Sequence, residues 1–266
     1  MEGNYSFREL FNVDQLNHLK KEWVKSLISP QDGMWESFRE NAKNWGIFDG
    51  NTMIGYAAIG EDNRLIQYYI IPNLMSKNED IFKAFLDKMQ IKTAVVGTNN
   101  PCFLSAALNY TSDVKINSYL FRDGNEVEIE DKEGTIKECQ EHDLNRIVDF
   151  CHSSIGAPKG WLLQYIGDLI NRNEIYFLEH NGDIIGTCEI RKSKTAPEFA
   201  DIGMIVSPKY RQQGYGTYLL HEAKRIAIEW KKVPICSCEK ENIGSIKSIH
   251  KCGFVSRYQL LSMSFE

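Results

Sequence analysis

The sequence predicts a mixed α/β protein of two domains, and three observations lead there. Short apolar or alternating runs recur between stretches with helical apolar spacing, in both halves of the chain. A strand-turn-strand pattern occurs twice, Phe48-Asp49-Gly50-Asn51-Thr52-Met53-Ile54-Gly55-Tyr56 paralleling Glu179-His180-Asn181-Gly182-Asp183-Ile184-Ile185-Gly186-Thr187, so that Gly55 and Gly186 correspond at an offset of 131 (186 − 55). At 266 residues the chain also exceeds the ~150 residues expected of one domain.

In the first half, the hairpin at 48–56 is followed by Leu65 to Pro72, which parallels Ala200 to Pro208. Thr93 to Gly97 corresponds to Ile235 to Cys238, and Pro101 to Asn109 to a short last helix. Asp123-Gly124-Asn125 is a strong turn signal, set in the acidic run Asp123, Glu126, Glu128, Glu130, Asp131 and Glu133. A solvated connection explains that run, which places the domains at 1–125 and 134–266.

In the second half, Thr135 to Cys139 reads as a strand and Asp143 to Phe150 as part of a helix. Trp161, Leu162, Tyr165, Ile166, Leu169 and Ile170 mark a second helix by their spacing. Strands follow at Ile175 to Leu178, Ile184 to Ile190 and Ala200 to Val206. Leu219, Ala223, Ile226, Ala227 and Trp230 form one apolar stripe of a further helix, with Glu222, Lys224, Arg225 and Glu229 outside it. Val233 to Cys238 is a short strand, Gly253 a helix stop after Lys251, and Phe254 opens the last strand.

Hydrophobic residues at 42% and charged ones at 25% exclude a disordered chain. The net charge of −5 lies wholly before residue 131, where 13 Lys and Arg face 18 Asp and Glu against 18 and 18 in the remainder; no basic stripe marks a nucleic-acid partner. The start, Met1-Glu2-Gly3-Asn4-Tyr5, lacks a basic and apolar leader and no run has the length of a membrane span, so a cytoplasmic location is expected. Seven cysteines in no framework spacing suit reduced thiols. Cys236-x-Cys238 with His250-x-Cys252 offers four nominal zinc ligands, but small buried thiols on a strand are the simpler reading, and no metal is expected.

The chemistry centres on Val206-Ser207-Pro208-Lys209-Tyr210-Arg211-Gln212-Gln213-Gly214-Tyr215-Gly216-Thr217, a strand that turns into a glycine-opened helix N-terminus. The first amides of a helix lack intrahelical partners and the helix dipole adds positive potential, so an anion can dock on the main chain. Gly214 and Gly216 admit a phosphate to the backbone, and Arg211 supplies charge. The third glycine of a dinucleotide fingerprint and the Lys-Ser/Thr pair of a nucleotide P-loop are both missing.

The order Val-x-Pro-x-x-Arg-x-x-Gly-x-Gly-x-x-Leu resembles the pyrophosphate-binding motif of the GNAT superfamily of acyl-CoA N-acyltransferases. Asn242-x-x-Ser245 followed by Lys251-Cys252-Gly253-Phe254 is similar to that superfamily's next motif, a short helix flanking the pantetheine. The resemblance implies two domains, each a central mixed, mostly antiparallel sheet flanked by helices. It implies acetyl-CoA as co-substrate, held by Ile205, Val206, Arg211, Gln212, Gln213, Gly214, Tyr215, Gly216, Thr217, Asn242 and Ser245. Where the first half should carry its phosphate turn it has Asn73-Leu74-Met75-Ser76-Lys77-Asn78-Glu79-Asp80, with no glycine and two carboxylates. Only the second half is therefore expected to bind acetyl-CoA, as in tandem members with one degenerate half.

The reaction so implied is attack of a primary amine, on a small molecule or peptide, at a thioester carbonyl. It needs an oxyanion donor, which the resemblance places at backbone N–H around Ile205 and Val206, and a base. Asp201, Glu189 and Glu198 are candidates for the base, with Asp201 favoured because Phe-Ala-Asp-Ile resembles a strand start where relatives carry an acid. A regular strand puts Asp201 opposite Ala200, Ile202, Met204 and Val206, and a bulge would swap the faces. Many members carry a tyrosine acid where this chain has Ile249, so a solvent proton, Tyr258 or Tyr218 would serve. That departure keeps a second reading open, a non-catalytic acyl-CoA-binding or interaction protein.

Overall fold

The computed structural model describes residues 5–266. These divide into two compact units, residues 5–120 with Tyr258–Glu266, and Phe121–Arg257. Each is a mixed, mostly antiparallel sheet with helices against it.

The first unit contains β1 (Tyr5–Glu9), α1 (Asn17–Ser26), α2 (Gly33–Glu40), β2 (Lys43–Asp49), β3 (Thr52–Ile59), β4 (Arg64–Ile70), α3 (Asn78–Met89), β5 (Thr93–Gly97) and α4 (Pro101–Leu108). The chain passes to the second unit within β6 (Thr111–Asp123). β1 to β4 pair antiparallel in order, and β4 meets β5 in parallel at Arg64–Thr93 and Leu65–Ala94. A core rich in aromatic side chains, including Tyr68, Phe82, Phe85 and Phe103, lies between the sheet and α3 and α4.

The second unit follows with β7 (Thr135–Glu138), α5 (Leu144–Ile155), α6 (Lys159–Asn171), β8 (Ile175–His180), β9 (Asp183–Lys192), β10 (Phe199–Val206), α7 (Tyr215–Glu229), β11 (Val233–Glu239) and α8 (Ile243–Lys251). The last strand, β12 (Phe254–Phe265), returns the chain to the first unit. β7, β8, β9 and β10 pair antiparallel in sequence, and β10 meets β11 in parallel. α5 and α6 bury Ile147, Val148, Cys151, Leu162, Ile166 and Leu169 against Ile175 and Phe177. Trp161, expected on this apolar stripe, is instead exposed and stacks on Tyr165 at 4.7 Å.

The compact units differ from the sequence boundaries at the chain's end. Leu260 to Ser264 pair with Gly97 to Thr93, and Met263 and Phe265 enter the first unit's core. Strand partners are chosen by whichever edge offers hydrogen bonds and an apolar face, which sequence proximity does not reveal.

The internal parallel read from the sequence recurs residue by residue. Gly55 lies opposite Ile47 and Ile70, and Gly186 opposite Leu178 and Val206. Each follows a register shift in the preceding strand, at Ile47/Phe48 and at Leu178/Glu179. A Cβ on Gly55 would collide with the Tyr69 carbonyl, and one on Gly186 would meet the Ile205 carbonyl at 2.5 Å. Only glycine permits this approach of backbone to backbone.

α7 buries Leu219, Ala223, Ile226 and Ala227 as its spacing predicts, with Trp230 just beyond the helix. Lys224, expected outside the stripe, is 5% exposed. Its ammonium donates to Asp123 Oδ1 at 2.6 Å and to the carbonyls of Asn125 and Cys252 at 3.0 and 3.1 Å. The acidic connection is therefore docked on the second unit at this end, where a freely solvated run was expected. The long aliphatic stem lets the lysine follow the helix surface while its charge finds a partner.

The cysteines described are free thiols. Cys236 and Cys238 are buried on β11, the Cys252 thiol donates to the Thr217 carbonyl at 3.2 Å, and the His250 ring meets Phe121 edge to face. Among the described residues no helix is long and apolar enough to cross a membrane.

Candidate functional site

The sheet of the second unit opens where its parallel pair ends. β10 and β11 are paired from Phe199–Val233 to Asp201–Ile235, and beyond that point Met204, Ile205 and Val206 line a cleft of about 550 Å³. The opposite edge of β10 stays in register with β9 from Ala200–Lys192 to Val206–Gly186 without a shift. No bulge swaps the faces on this side, so Asp201, Gly203 and Ile205 share one face and Met204 and Val206 the other.

Strand alternation also separates the two backbone amides named from the sequence. The Ser207 N–H donates to the Ile185 carbonyl on β9. Two residues back, the Ile205 N–H points the same way, and the Val206 N–H points to the open side. Val206 alone of this pair can offer an amide to a ligand in the cleft. Its carbonyl is held by Arg211 Nε at 3.2 Å.

The turn after β10 builds the cleft floor. Gln212 and Gly214 take left-handed φ of 63° and 90°, and Gly214 caps α7. That conformation costs an L side chain ~1–2 kcal/mol, which glycine avoids. Gly216 already sits in the helix. A Cβ there would stand 3.3 Å from Ser248 Oγ and 3.5 Å from Met204 Cε, so its lack of a side chain keeps the cleft open.

Of the residues named from the sequence, Ile205, Val206, Arg211, Gln212, Gly214, Gly216, Thr217, Asn242 and Ser245 line the cleft. Gln213 and Tyr215 lie outside the lining. Gln213 donates to the Lys209 carbonyl at 3.0 Å, and Tyr215 packs edge to face on Tyr210. Arg211 brings charge but also holds the turn, since its guanidinium donates to the Ser154 carbonyl at 2.7 Å as well as to Val206. Asn242 caps α8 by accepting from the Ser245 N–H at 3.1 Å.

Sequence reading missed the cleft's other two cations. Lys247 and Lys251 stand one helical turn apart on α8 and line it together with Gly244 and Ser248. Their i, i+4 spacing was a usable signal. The lining holds three cationic side chains, Arg211, Lys247 and Lys251, and no carboxylate.

The candidate bases lie elsewhere. Asp201 is 1% exposed and accepts from Arg191 Nη2 at 2.5 Å, while Glu189 accepts from Arg191 Nη1 at 2.8 Å and from the Tyr165 hydroxyl at 2.5 Å. Arg191 Nη1 also donates to the Tyr165 oxygen at 2.8 Å. Burial opposes the guanidinium charge, but the field of Asp201, with Tyr165 and Glu189, outweighs it and holds the Arg191 pKa well above its ordinary value. Burial pushes the Tyr165 phenol up. Glu198 is exposed and away from this quartet, contributing a backbone carbonyl to Val233. Ile249 is buried, Tyr218 is on α7 outside the lining, and Tyr258 packs in the first unit against Val95, Leu120 and Leu260.

The equivalent turn of the first unit differs in charge. α3 opens with Asn78, Glu79 and Asp80, and the Asn78 side chain is spent on the Cys102 carbonyl.

Residues 12–124 match the model of an acetyltransferase (GNAT) domain, and residues 141–254 that of the acetyltransferase (GNAT) family. No curated protein matches the chain. Among solved structures, an acetyltransferase of the GNAT family from Colwellia psychrerythraea is 28% identical with a TM-score of 0.93, covering 98% of this chain and 100% of its own. A tandem GNAT protein from the clavulanic acid biosynthesis pathway, 12% identical, has a TM-score of 0.63 over 98% of both chains. A GCN5-related N-acetyltransferase from Sphaerobacter thermophilus, 12% identical, reaches 0.67 over 98% of this chain and 95% of its own. At 12% identity these two share the fold alone. The chain carries two GNAT acetyltransferase domains in tandem, and the cleft beside the glycine turn belongs to the second.

Proposed function

We propose that the protein is an N-acetyltransferase that carries an acetyl group from acetyl-CoA to a primary amine of a small molecule or peptide in the cytoplasm. The observation that carries this reading is the lining of the cleft: three cations, a left-handed glycine at a helix N-terminus and no carboxylate suit a diphosphate ligand. Bound acetyl-CoA supplies the thioester carbonyl that the amine attacks. Arg211 holds the turn, Gly214 and Gly216 admit the diphosphate, and Val206 N–H faces the open edge where an oxyanion donor is needed. Glu189 on β9 accepts from the Tyr165 hydroxyl of α6, the route by which a proton reaches it, and Asp201 on β10 is joined to it through Arg191.

The first domain is silent towards acyl-CoA in this reading, since Glu79 and Asp80 occupy the first turn of α3. One observation favours a second reading, acyl-CoA binding without turnover: the cleft lining contains no carboxylate, histidine or tyrosine. Calorimetric titration of acetyl-CoA, with Gly214→Asp as control, tests the reading. One binding site lost in the variant, with thiol release in the presence of amines, supports the enzyme. Binding without thiol release across an amine panel selects the second reading, and no binding at millimolar ligand, an affinity weaker than ~4 kcal/mol, overturns both.

A further inference from the structure

The connection between the domains carries six acids and a single base, Lys132, between Asp123 and Gly134. The connection lies along α7. At one end Asp123 and Asn125 are bound by Lys224, and Asn125 also donates its N–H to the Gly253 carbonyl. At the other, Glu133 stands 3.4 Å from His180, and the end of the Lys132 side chain lies over Gly214. A Cβ on Gly214 would be 3.0 Å from Lys132 Cε and 3.5 Å from its ammonium. The ammonium meanwhile pairs with Glu130 at 3.0 Å, an exposed carboxylate two residues away.

The one cation of an acidic run is thus the residue that reaches the glycine lining the cleft. We propose that Lys132 is a further ligand-binding residue of this site, held by Glu130 until a phosphate-bearing ligand enters and takes its place as the partner of the ammonium. The proposal rests on the acyl-CoA reading of the cleft and extends it: the connection between the domains, and not only the second domain's core, recognises the diphosphate. A fully ionised diphosphate outcompetes a single carboxylate for an ammonium because it offers more charge and more acceptor oxygens. Exchange requires only that the exposed Glu130 side chain rotate away from the half-buried Lys132, with no change in the backbone docked through Lys224.

The test is calorimetry of the full chain with CoA, and separately with inorganic pyrophosphate as the phosphate probe, for wild type, Lys132→Gln, Lys132→Arg and Glu130→Gln. Lys132→Gln should weaken CoA and pyrophosphate binding by about fivefold, the upper range for one exposed ion pair. Lys132→Arg should restore most of it. Glu130→Gln should tighten binding, because the ammonium then has no carboxylate to give up. Wild-type affinity in Lys132→Gln overturns the proposal while leaving the cleft as the acyl-CoA site. Equal weakening in Lys132→Gln and Glu130→Gln also overturns it, since that marks a role of the pair in holding the connection. Failure of wild type to bind CoA overturns the acyl-CoA reading and the proposal with it.

Discussion

Asp201→Asn separates the structural weight of the buried quartet from its chemical role. The substitution removes one of two carboxylates that neutralise Arg191, while Glu189 remains 2.8 Å from the same guanidinium. Breaking a buried ion pair from one side costs ~3–5 kcal/mol. Because an amide oxygen can still accept from Arg191 and Glu189 still balances the charge, the cost falls at the lower end, about 3 kcal/mol. Arg191→Met is the harsher change, since it leaves Asp201 and Glu189 facing each other without a cation, and should cost about 5 kcal/mol. The double variant should be more stable than Arg191→Met alone, a coupling that a double-mutant cycle reads directly. Urea unfolding of the four proteins, followed by circular dichroism, gives these values. Asp201→Asn as stable as wild type, or Arg191→Met milder than Asp201→Asn, would refute the account of the quartet. Acetyl transfer by Asp201→Asn then assigns the chemistry. A fall of ~10²-fold in kcat together with loss of the acidic limb of the pH profile identifies a general base, and a smaller fall with the limb intact identifies a positioning residue.

Lys224→Met should cost about 2–4 kcal/mol by stranding the Asp123 carboxylate and two carbonyls, and limited proteolysis should then cut within residues 124–134 before any other segment. Glu79→Gln in the first domain should leave acetyl-CoA affinity unchanged by calorimetry, and a change beyond twofold would show that the first domain takes part in binding. Glu174 tests the pH dependence: burial, opposed by Arg172 and by the Lys192 N–H, raises its pKa above the usual value of 4.5. A raised folded-state pKa contributes stability that is present below the unfolded value and is lost as pH rises through the folded one. Denaturation midpoints should therefore decline across the interval just above pH 4.5 in wild type and decline less in Glu174→Gln.

Features set by near neighbours in sequence were largely legible, although Trp161 left the apolar stripe its spacing predicted. Apolar spacing placed α7 from Leu219 to Ala227, alternation and glycine turns placed the two hairpins, and the glycine-rich turn announced a left-handed residue at Gly214 because no other residue adopts that conformation without cost. The parallel between Gly55 and Gly186 was legible because both positions answer the same steric demand, a neighbouring carbonyl with no room for a Cβ. Helical spacing could also have shown Lys247 and Lys251 on one face of α8.

Other features depend on partners far apart in sequence. Asp201 was visible as a strand acid, but its engagement depends on Arg191 opposite it on β9, and that of Glu189 on Tyr165 from α6. Lys224 had the pattern of a solvent-facing residue and became buried because Asp123, about a hundred positions earlier, supplies the countercharge. The final residues were assigned by sequence to the second domain, yet Leu260 to Ser264 found their hydrogen bonds on β5. Helix periods, turns and glycine positions are fixed by interactions within a few residues, so the amino-acid order alone determines them. Ion-pair partners, the burial of a charge and the choice of strand edge are settled by the energy of the assembled packing, and only the tertiary structure decides them.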